Sequence, residues 1–335
     1  GAWFHVASPA GAVVAGHFLL LVAIGLDGRP FVTRARLAAI GGAGLLLAMG
    51  WIAGLPSDNL RITVLPLRGG DSLFVDRPGA GHDLLVDTGD ASAAEQVVGP
   101  FLRARGVNRL AHLALTHGDV RHVGGAVGLR ERFRVRQTVT SPARARSPAY
   151  RELIRALEAA PTGWREVKRG DELCGWRVLH PAAEDRFSRA DDGVLVLFGE
   201  FEGTRILLCS DLSRTGQRTL MEREPDLRAD IVIGGMPHPD EPLSDGFLRA
   251  LEPSLVVLSA GEYPANERPS RALRDRLRAH GIPVFFGCDH GALYLEIHPG
   301  GWHLRAQDGR EECHRGTGLS KFDGDPEVLA FFSTE

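Results

Sequence analysis

Two histidines and one aspartate lie within six residues of each other, where an apolar segment of the chain ends. Residues 110–115 are typical of a buried strand, and His117, Asp119 and His122 follow it. Imidazole and carboxylate groups together form ligand sets that zinc and manganese accept. Arg121 does not suit such a set, because its guanidinium adds a permanent positive charge. Taken alone, the spacing only suggests a metal site, and histidines placed in this way are more often structural or solvated.

The segments around this cluster have the pattern of an α/β domain. Residues 60–65 alternate apolar and polar side chains, as a half-buried strand does. Apolar strands are then predicted at 83–87, 193–198, 205–209, 230–234, 255–259, 283–286 and 293–297, and helical spacing occupies much of the chain between them. Asp211 follows one of these strands. On local grounds it is equally suited to capping the helix predicted at 213–222.

Length and composition set wider bounds. A chain of 335 residues can bury a sizeable core in one large or two smaller domains. Its formal net charge of -3 neither requires nor excludes a nucleic-acid partner. The four cysteines show no C-x-x-C spacing, so neither a zinc ribbon nor a disulfide framework is indicated. Because the sequence begins with Gly1 rather than methionine, we expect a fragment or a processed product.

The first 56 residues differ from the rest in composition. Residues 10–26 and 35–55 are apolar segments, and a membrane-spanning helix needs about 20 such residues. The connecting residues 27–36 carry three arginines and one aspartate. The positive-inside rule places this connection in the cytoplasm and the rest of the chain on the extracytoplasmic side of the membrane. A cleaved signal peptide and a helical hairpin buried in protein are the alternatives.

The strand-end cluster has a match among known families. It consists of His117-Gly118-Asp119-Val120-Arg121-His122 with two glycines behind it, and resembles the metallo-β-lactamase signature H-x-[H or D]-x-D-H followed by G-G. Aspartate at the third position is typical of the C-terminal domain of ComEC-type DNA-uptake (competence) proteins. Further matches between residues 61 and 297 keep the order of that family: Gly70-Asp71-Ser72, Asp87-Thr88-Gly89, Asp211, His238 and Asp289-His290-Gly291-Ala292.

The resemblance implies a four-layer αββα sandwich preceded by transmembrane helices. Its metal ligands would be His117, Asp119, His122, Asp211 and His238, and Asp119 and Asp211 would also take part in catalysis. In active relatives the metal, here zinc or manganese, activates a water molecule for attack on an ester. The implied division is two transmembrane helices at 1–56, the metallo-β-lactamase-like domain at 57–300 and a loose C-terminal tail at 301–335.

Arg121 stands where the family has its second aspartate, and Arg268 where it often has a histidine. A guanidinium stays charged, so it repels a metal ion and is placed to pair with Asp211 instead. We therefore expect at most one ion, held by His117, Asp119 and His122 with help from Asp211. Hydrolysis should be weak or absent, and whether the domain is an enzyme stays open.

Three functions remain open. The first is a membrane-anchored DNA-uptake protein whose extracytoplasmic domain handles DNA through a degenerate metal site, with unidentified competence or channel subunits. The second is an active metallohydrolase of another anionic ester, which Arg121 would bind. The third is a non-catalytic module in which the site is a salt-bridge cluster. Residues 130–146 are rich in arginine, and they form either a solvated face or a rim that contacts DNA phosphates.

Overall fold

The computed structural model describes residues 11–25, 33–53, 59–79, 81–161 and 163–315. In chain order the strands are β1 (Leu60–Val64), β2 (Leu73–Asp76), β3 (Leu84–Val86), β4 (His112–Leu115), β5 (Gln137–Thr140), β6 (Trp164–Glu166), β7 (Glu172–Leu173), β8 (Trp176–His180), β9 (Val196–Phe201), β10 (Thr204–Ser210), β11 (Ile231–Gly234), β12 (Leu255–Leu258), β13 (Val284–Phe286), β14 (Leu293–His298), β15 (Gly301–Ala306) and β16 (Glu311–Arg315).

These strands form two sheets. One has nine strands in the order β16-β15-β14-β1-β2-β3-β4-β5-β6, and the other has seven in the order β13-β12-β11-β10-β9-β8-β7. Strands β3 to β6 are parallel to each other, as are β10 to β13. Because parallel strands end at one edge, the residues that follow β3, β4 and β5 lie together, as do those that follow β10 and β11.

The helices lie outside the two sheets. Their bounds are Gly11–Gly25, Thr33–Ala53, Ala91–Ala93, Gly99–Ala104, Val120–Val123, Ala126–Arg132, Pro148–Ala159, Arg214–Arg223, Asp245–Leu251, Arg271–Ala279 and Gly287–His290, with a π-helical turn at Ala94–Val98 and 3₁₀ turns at Ala190–Gly193 and Ala265–Glu267. Serine side chains cap several of them. Ser147, Ser213, Ser244 and Ser270 each accept a hydrogen bond from the backbone N–H three residues later.

Three buried apolar clusters hold these layers together. The inner cluster joins the two sheets and includes Ile62, Trp176 and Trp302. A second cluster packs helices on the seven-stranded sheet, and a third packs helices on the nine-stranded sheet. Apolar side chains that alternate along a strand bury one face, so a sheet needs a second layer on that face. Helices outside two packed sheets are the layers of the predicted αββα sandwich.

The predicted loose tail is wrong for residues 301–315. These residues form β15 and β16, which extend the nine-stranded sheet beyond β14. Trp302, Leu304 and Ala306 point inward at every second position and are buried between the sheets. Charged residues on the opposite face obscure that alternation in the sequence. The remaining tail, residues 316–335, lies outside the described residues.

The two apolar N-terminal segments are helical in the described residues. Helix Gly11–Gly25 contacts helix Thr33–Ala53, and a Cβ added at Gly16 would meet the Ala43 carbonyl oxygen at 3.0 Å. Phe18, Leu21 and Leu45 are exposed on this pair. Among the described residues, no helix combines the length and the apolar character that crossing a membrane requires. The predicted spans at 10–26 and 35–55 extend beyond the described residues at their ends.

Candidate metal centre

Five buried ionisable side chains meet where the parallel strands of both sheets end. Asp87 follows β3, His117 follows β4, and Asp211 follows β10 of the other sheet. His122 lies in the short helix Val120–Val123, and Asp71 lies in the turn that precedes β2. None of the five is more than 6% exposed. We call Asp71, Asp87, His117, His122 and Asp211 the strand-end centre.

His122 lies between two carboxylates. Its Nδ1 is 2.9 Å from Asp87 Oδ2, and its Nε2 is 3.1 Å from Asp211 Oδ2. Burial opposes the charged form of His122, but the carboxylates of Asp211 and Asp87 outweigh it and raise its pKa well above the ordinary value. Without a metal, His122 is therefore an imidazolium that bridges the two sheets.

Asp87 and Thr116 fix the orientation of His117. Asp87 has a left-handed backbone with φ of 57°, and its carboxylate accepts hydrogen bonds from Thr116 N (2.8 Å) and Thr116 Oγ1 (2.6 Å). Because that hydroxyl donates to Asp87, it accepts from Nδ1 of His117, 3.1 Å away. The lone pair of His117 is then on Nε2. Burial and the nearby charge of His122 lower the pKa of His117 to about 4, so this ring is neutral.

Three buried atoms of the centre have no hydrogen-bond partner among the described residues: His117 Nε2, Asp211 Oδ1 and Asp71 Oδ1. Leaving such atoms unpaired costs free energy that a bound cation would recover. His117 Nε2 lies 4.0 Å from Asp211 Oδ2. A Cβ added to Gly235 would collide with the Asp211 and Asp71 carboxylates, so glycine keeps space open beside them.

The ligand atoms of the centre are close enough together to hold a divalent ion. Those of Asp87, His117 and His122 lie within 4.8 Å of one another, as do those of Asp71, His122 and Asp211. Although burial opposes its charged form, the pKa of Asp211 is lowered to about 2, chiefly by the charge and hydrogen bond of His122. Burial and the charge of Asp211 raise the pKa of Asp71 well above its usual value. An ionised carboxylate and a neutral imidazole are the donors that zinc or manganese requires.

The helix cap considered for Asp211 is formed by another residue. Ser213 accepts the N–H of Gly216 and caps helix Arg214–Arg223, which leaves the Asp211 side chain to the strand-end centre. His117, His122 and Asp211, predicted from positions far apart in the sequence, are brought together. They stay predicted as ligands.

The expected ion pair between Arg121 and Asp211 is wrong. Arg121 Nη1 pairs with Glu267 Oε1, and Arg121 Nε lies 3.2 Å from Asp119 Oδ1. Asp119 also caps the short helix by accepting the Arg121 N–H at 2.9 Å. Although burial opposes the charged form of Asp119, that hydrogen bond and the charges of His122 and Arg121 lower its pKa. The guanidinium of Arg121 thus pairs with these two carboxylates, and Asp211 acts on it only through its charge.

Two predicted ligands lie outside the strand-end centre. Asp119 faces Arg121, and the side chain of His238 is exposed. His238 contributes backbone atoms instead, because its N–H donates to Asp191 Oδ2 at 3.0 Å and its carbonyl accepts from Arg189 at 2.7 Å. The side-chain contacts of Asp119 and His238 therefore do not support their role as metal ligands, which stays a prediction.

Three acidic residues of this region were not among the predicted ligands. Asp71 and Asp87 belong to the motif matches G-D-S and D-T-G, which signalled them in the sequence. Asp191 has no such signal. Its Oδ1 lies 3.9 Å from His117 Nε2, and burial together with the charge of Asp211 raises its pKa to about 6. It reaches the centre because the 3₁₀ turn Ala190–Gly193 precedes β9 at the same edge.

Comparison with known proteins points to one superfamily. The family model of the metallo-beta-lactamase superfamily matches residues 65–259. ComE operon protein 3 of Bacillus subtilis (strain 168) is 28% identical over 256 residues, which are 71% of this chain and 33% of that protein. Competence protein ComA of Neisseria gonorrhoeae is 29% identical over 296 residues, 86% of this chain and 38% of that protein. Both are homologues of this chain.

The chain thus spans about a third of the length of these curated relatives. Among solved structures, Igni18, a metallo hydrolase from the hyperthermophilic archaeon Ignicoccus hospitalis, has a TM-score of 0.47 and 11% identity. The match covers 71% of this chain and 100% of that one.

Proposed function

The chain belongs to the metallo-β-lactamase superfamily, and from that premise we propose that it acts in DNA uptake as part of a ComEC-type competence protein. In this proposal the domain handles DNA at a strand-end centre that binds one zinc or manganese ion, and hydrolysis is weak or lost. The homology to two competence proteins supports the substrate class.

One observation carries the proposal. His117, His122 and Asp211 come from both sheets and meet at one edge, where His117 Nε2 and Asp211 Oδ1 are buried without a partner. A divalent ion held by these residues would supply a Lewis acid for attack of water on a phosphodiester. Asp87 would fix His122 through Nδ1, and Thr116 would fix His117, which is how outer carboxylates and hydroxyls orient metal-binding histidines.

The charge around the centre supports one ion rather than two. Arg121 stands where the family has an acid. Its side chain is 23% exposed, and its guanidinium is paired with Asp119 and Glu267. A fixed cation in that place repels a second metal ion and removes one of its ligands. The same two ion pairs make Arg121 a poor receptor for an anionic ester, which weakens the alternative of another active metallohydrolase.

A second candidate function is a non-catalytic module. His122 already forms hydrogen bonds with Asp87 and Asp211 through both ring nitrogens, which ties the two sheets together without any metal. In that case the domain would keep DNA binding, or a structural role, and would have lost hydrolysis.

For the location we propose membrane attachment through residues 1–56, with the sandwich on the extracytoplasmic side. The exposed apolar side chains of the N-terminal helices, among them Phe18, Leu21 and Leu45, support contact with lipid. Arg29 between the two helices, together with Arg34 and Arg36 in the first turn of the second helix, supports a cytoplasmic connection. Channel or other competence subunits would be the remaining partners.

Hydrolysis assays test the proposal. The full 335-residue chain is incubated with labelled DNA, with a β-lactam and with a generic phosphodiester, in the presence of zinc or manganese. We expect slow cleavage confined to DNA, or DNA binding without cleavage. Rapid turnover of a β-lactam or of another ester would contradict the proposal, and so would a failure to bind DNA.

A further inference from the structure

A groove lined by three arginines lies beside the strand-end centre. The groove has a volume of about 340 Å³. Its walls are formed by Arg144, Ala145, Tyr150, Arg151, Ile154 and Arg155, from the loop after β5 and from helix Pro148–Ala159. We call it the arginine groove.

The arginine groove adjoins the loop that carries His117. Gly118 packs so closely against Ala145 and Tyr150 that a Cβ on it would come within 2.8 Å of the Tyr150 ring. Ser147 Oγ also donates to the Gly118 carbonyl at 2.6 Å, which joins the start of the groove helix to the same loop. A ligand in the groove would therefore lie next to Gly118, between His117 and Asp119 in the chain.

The lining of the groove suits a phosphate next to an apolar group. Arg151 and Arg155 are exposed and form no ion pair within the described part of the chain, while Arg144 pairs with Glu166 at 2.8 Å. Guanidinium groups bind phosphate oxygens in pairs of hydrogen bonds. Ala145 and Ile154 add apolar surface to the lining, against which a sugar or an unpaired base can pack.

The structure divides the arginine-rich residues 130–146 between two ends of the nine-stranded sheet. Arg134 and Arg136 precede β5 and line a different pocket with Asp83 and Arg109. Arg144 and Arg146 follow β5, at the same edge as His117, because β4 and β5 are parallel. Only Arg144 and Arg146 lie on the side of the strand-end centre. The arginines of residues 130–146 therefore do not form one continuous rim beside it.

We propose that the arginine groove binds the phosphate backbone of single-stranded nucleic acid and leads it to the strand-end centre. The inference takes nucleic acid as the substrate class from the proposed function. It adds which residues bind the nucleic acid and that the bound form is single-stranded. A duplex keeps its bases stacked inside, so the apolar part of the lining would contact bases only of an unpaired strand.

Fluorescence anisotropy with labelled single-stranded and duplex oligonucleotides tests the inference on the full chain. Measurements in EDTA separate strand binding from metal chemistry. The variant R151Q/R155Q loses two exposed arginines from the groove, and the matched control R134Q/R136Q loses two exposed arginines from the opposite end. We expect the first variant to raise the Kd for the single strand about tenfold and to reduce the magnitude of the slope of log K against log salt by about 1.4. The control should stay within about twofold of the unaltered chain.

Four results would overturn the inference. Equal losses in the two variants would show that only overall charge matters. Equal affinity for single strand and duplex would remove the preference for an unpaired strand. An unchanged Kd for R151Q/R155Q, with DNA still bound, would place the strand elsewhere and leave the proposed function standing. Absence of DNA binding by the unaltered chain would defeat both proposals.

Discussion

Arg121 forms an ion pair with Glu267, whose side chain is only 2% exposed. Burial raises the pKa of Glu267, and the charge of Arg121 opposes that rise. The pair places one positive and one negative charge beside the strand-end centre. The superfamily signature has an aspartate at position 121 instead of this arginine. The charge of Glu267 thus depends on Arg121, and this dependence determines what substitutions at position 121 will do.

Removing the charge of either partner should lower the free energy of unfolding, but by unequal amounts. R121Q leaves the buried Glu267 carboxylate without its cation and should cost about 1–3 kcal/mol of unfolding free energy. E267Q should cost less, because Arg121 keeps Asp119 as a partner. The double variant R121Q/E267Q should be more stable than R121Q. Thermal unfolding in EDTA gives the order, and equal destabilisation by both single variants would argue against the pair.

Restoring an acid at position 121 should create a second metal site only if Glu267 is also neutralised. R121D alone adds a carboxylate next to a buried one that has lost its partner, so it should be destabilised. R121D/E267Q avoids that repulsion and should bind one more manganese or zinc ion than the unaltered chain. The control R121Q/E267Q removes the same pair without adding an acid. If both double variants bind the same number of ions, Arg121 is not what limits the site.

Gly235 keeps open the space between the Asp71 and Asp211 carboxylates. In G235A the new methyl group would collide with both carboxylates, so metal affinity should fall at least tenfold and stability by about 1–3 kcal/mol. The control is G246A, in helix Asp245–Leu251, where an added Cβ meets nothing within 4 Å. It should retain the metal and gain about 0.5–1 kcal/mol. Isothermal titration with zinc compares them, and undiminished binding by G235A would place the ion elsewhere.

Asp83 gives a pH dependence that is independent of the metal centre. Burial and the charge of Asp76 raise the pKa of Asp83 to about 6, above the value of about 3.9 in an unfolded chain. Between these values the unfolded chain releases its proton first, so this residue lowers stability as pH rises from about 4 to about 6. D83N should therefore have a higher Tm than the unaltered chain at pH 7.5 and a similar Tm at pH 4. An equal gain at both pH values would rule out this titration as the cause.

Local signals in the sequence indicate only part of the site. The strand-end spacing points to His117 and His122, whereas Asp211 is predicted as a ligand only through the family resemblance, because on local grounds it suits a helix cap equally well. The parallel strands bring these strand ends together. Side chains whose environment depends on distant contacts were not predictable in this way. The pairing of Arg121 with Glu267 joins the short helix Val120–Val123 to the 3₁₀ turn Ala265–Glu267, and Asp191 reaches His117 only through the turn before β9.

The C-terminal strands show the same limit. Trp302 and Leu304 have the alternation of a strand, yet His303, Arg305 and the charged residues that follow resemble a solvated tail when no partner strand is known. Pairing with β14 supplies the missing hydrogen bonds and makes the strand.

Metal stoichiometry of the purified full chain tests the central claim most directly. Inductively coupled plasma mass spectrometry after zinc or manganese loading should find about one ion per chain, and H122A and D211N should lose it. Two ions per chain with rapid DNA cleavage, or an unchanged metal content in H122A and D211N, would contradict a single ion held at the strand-end centre.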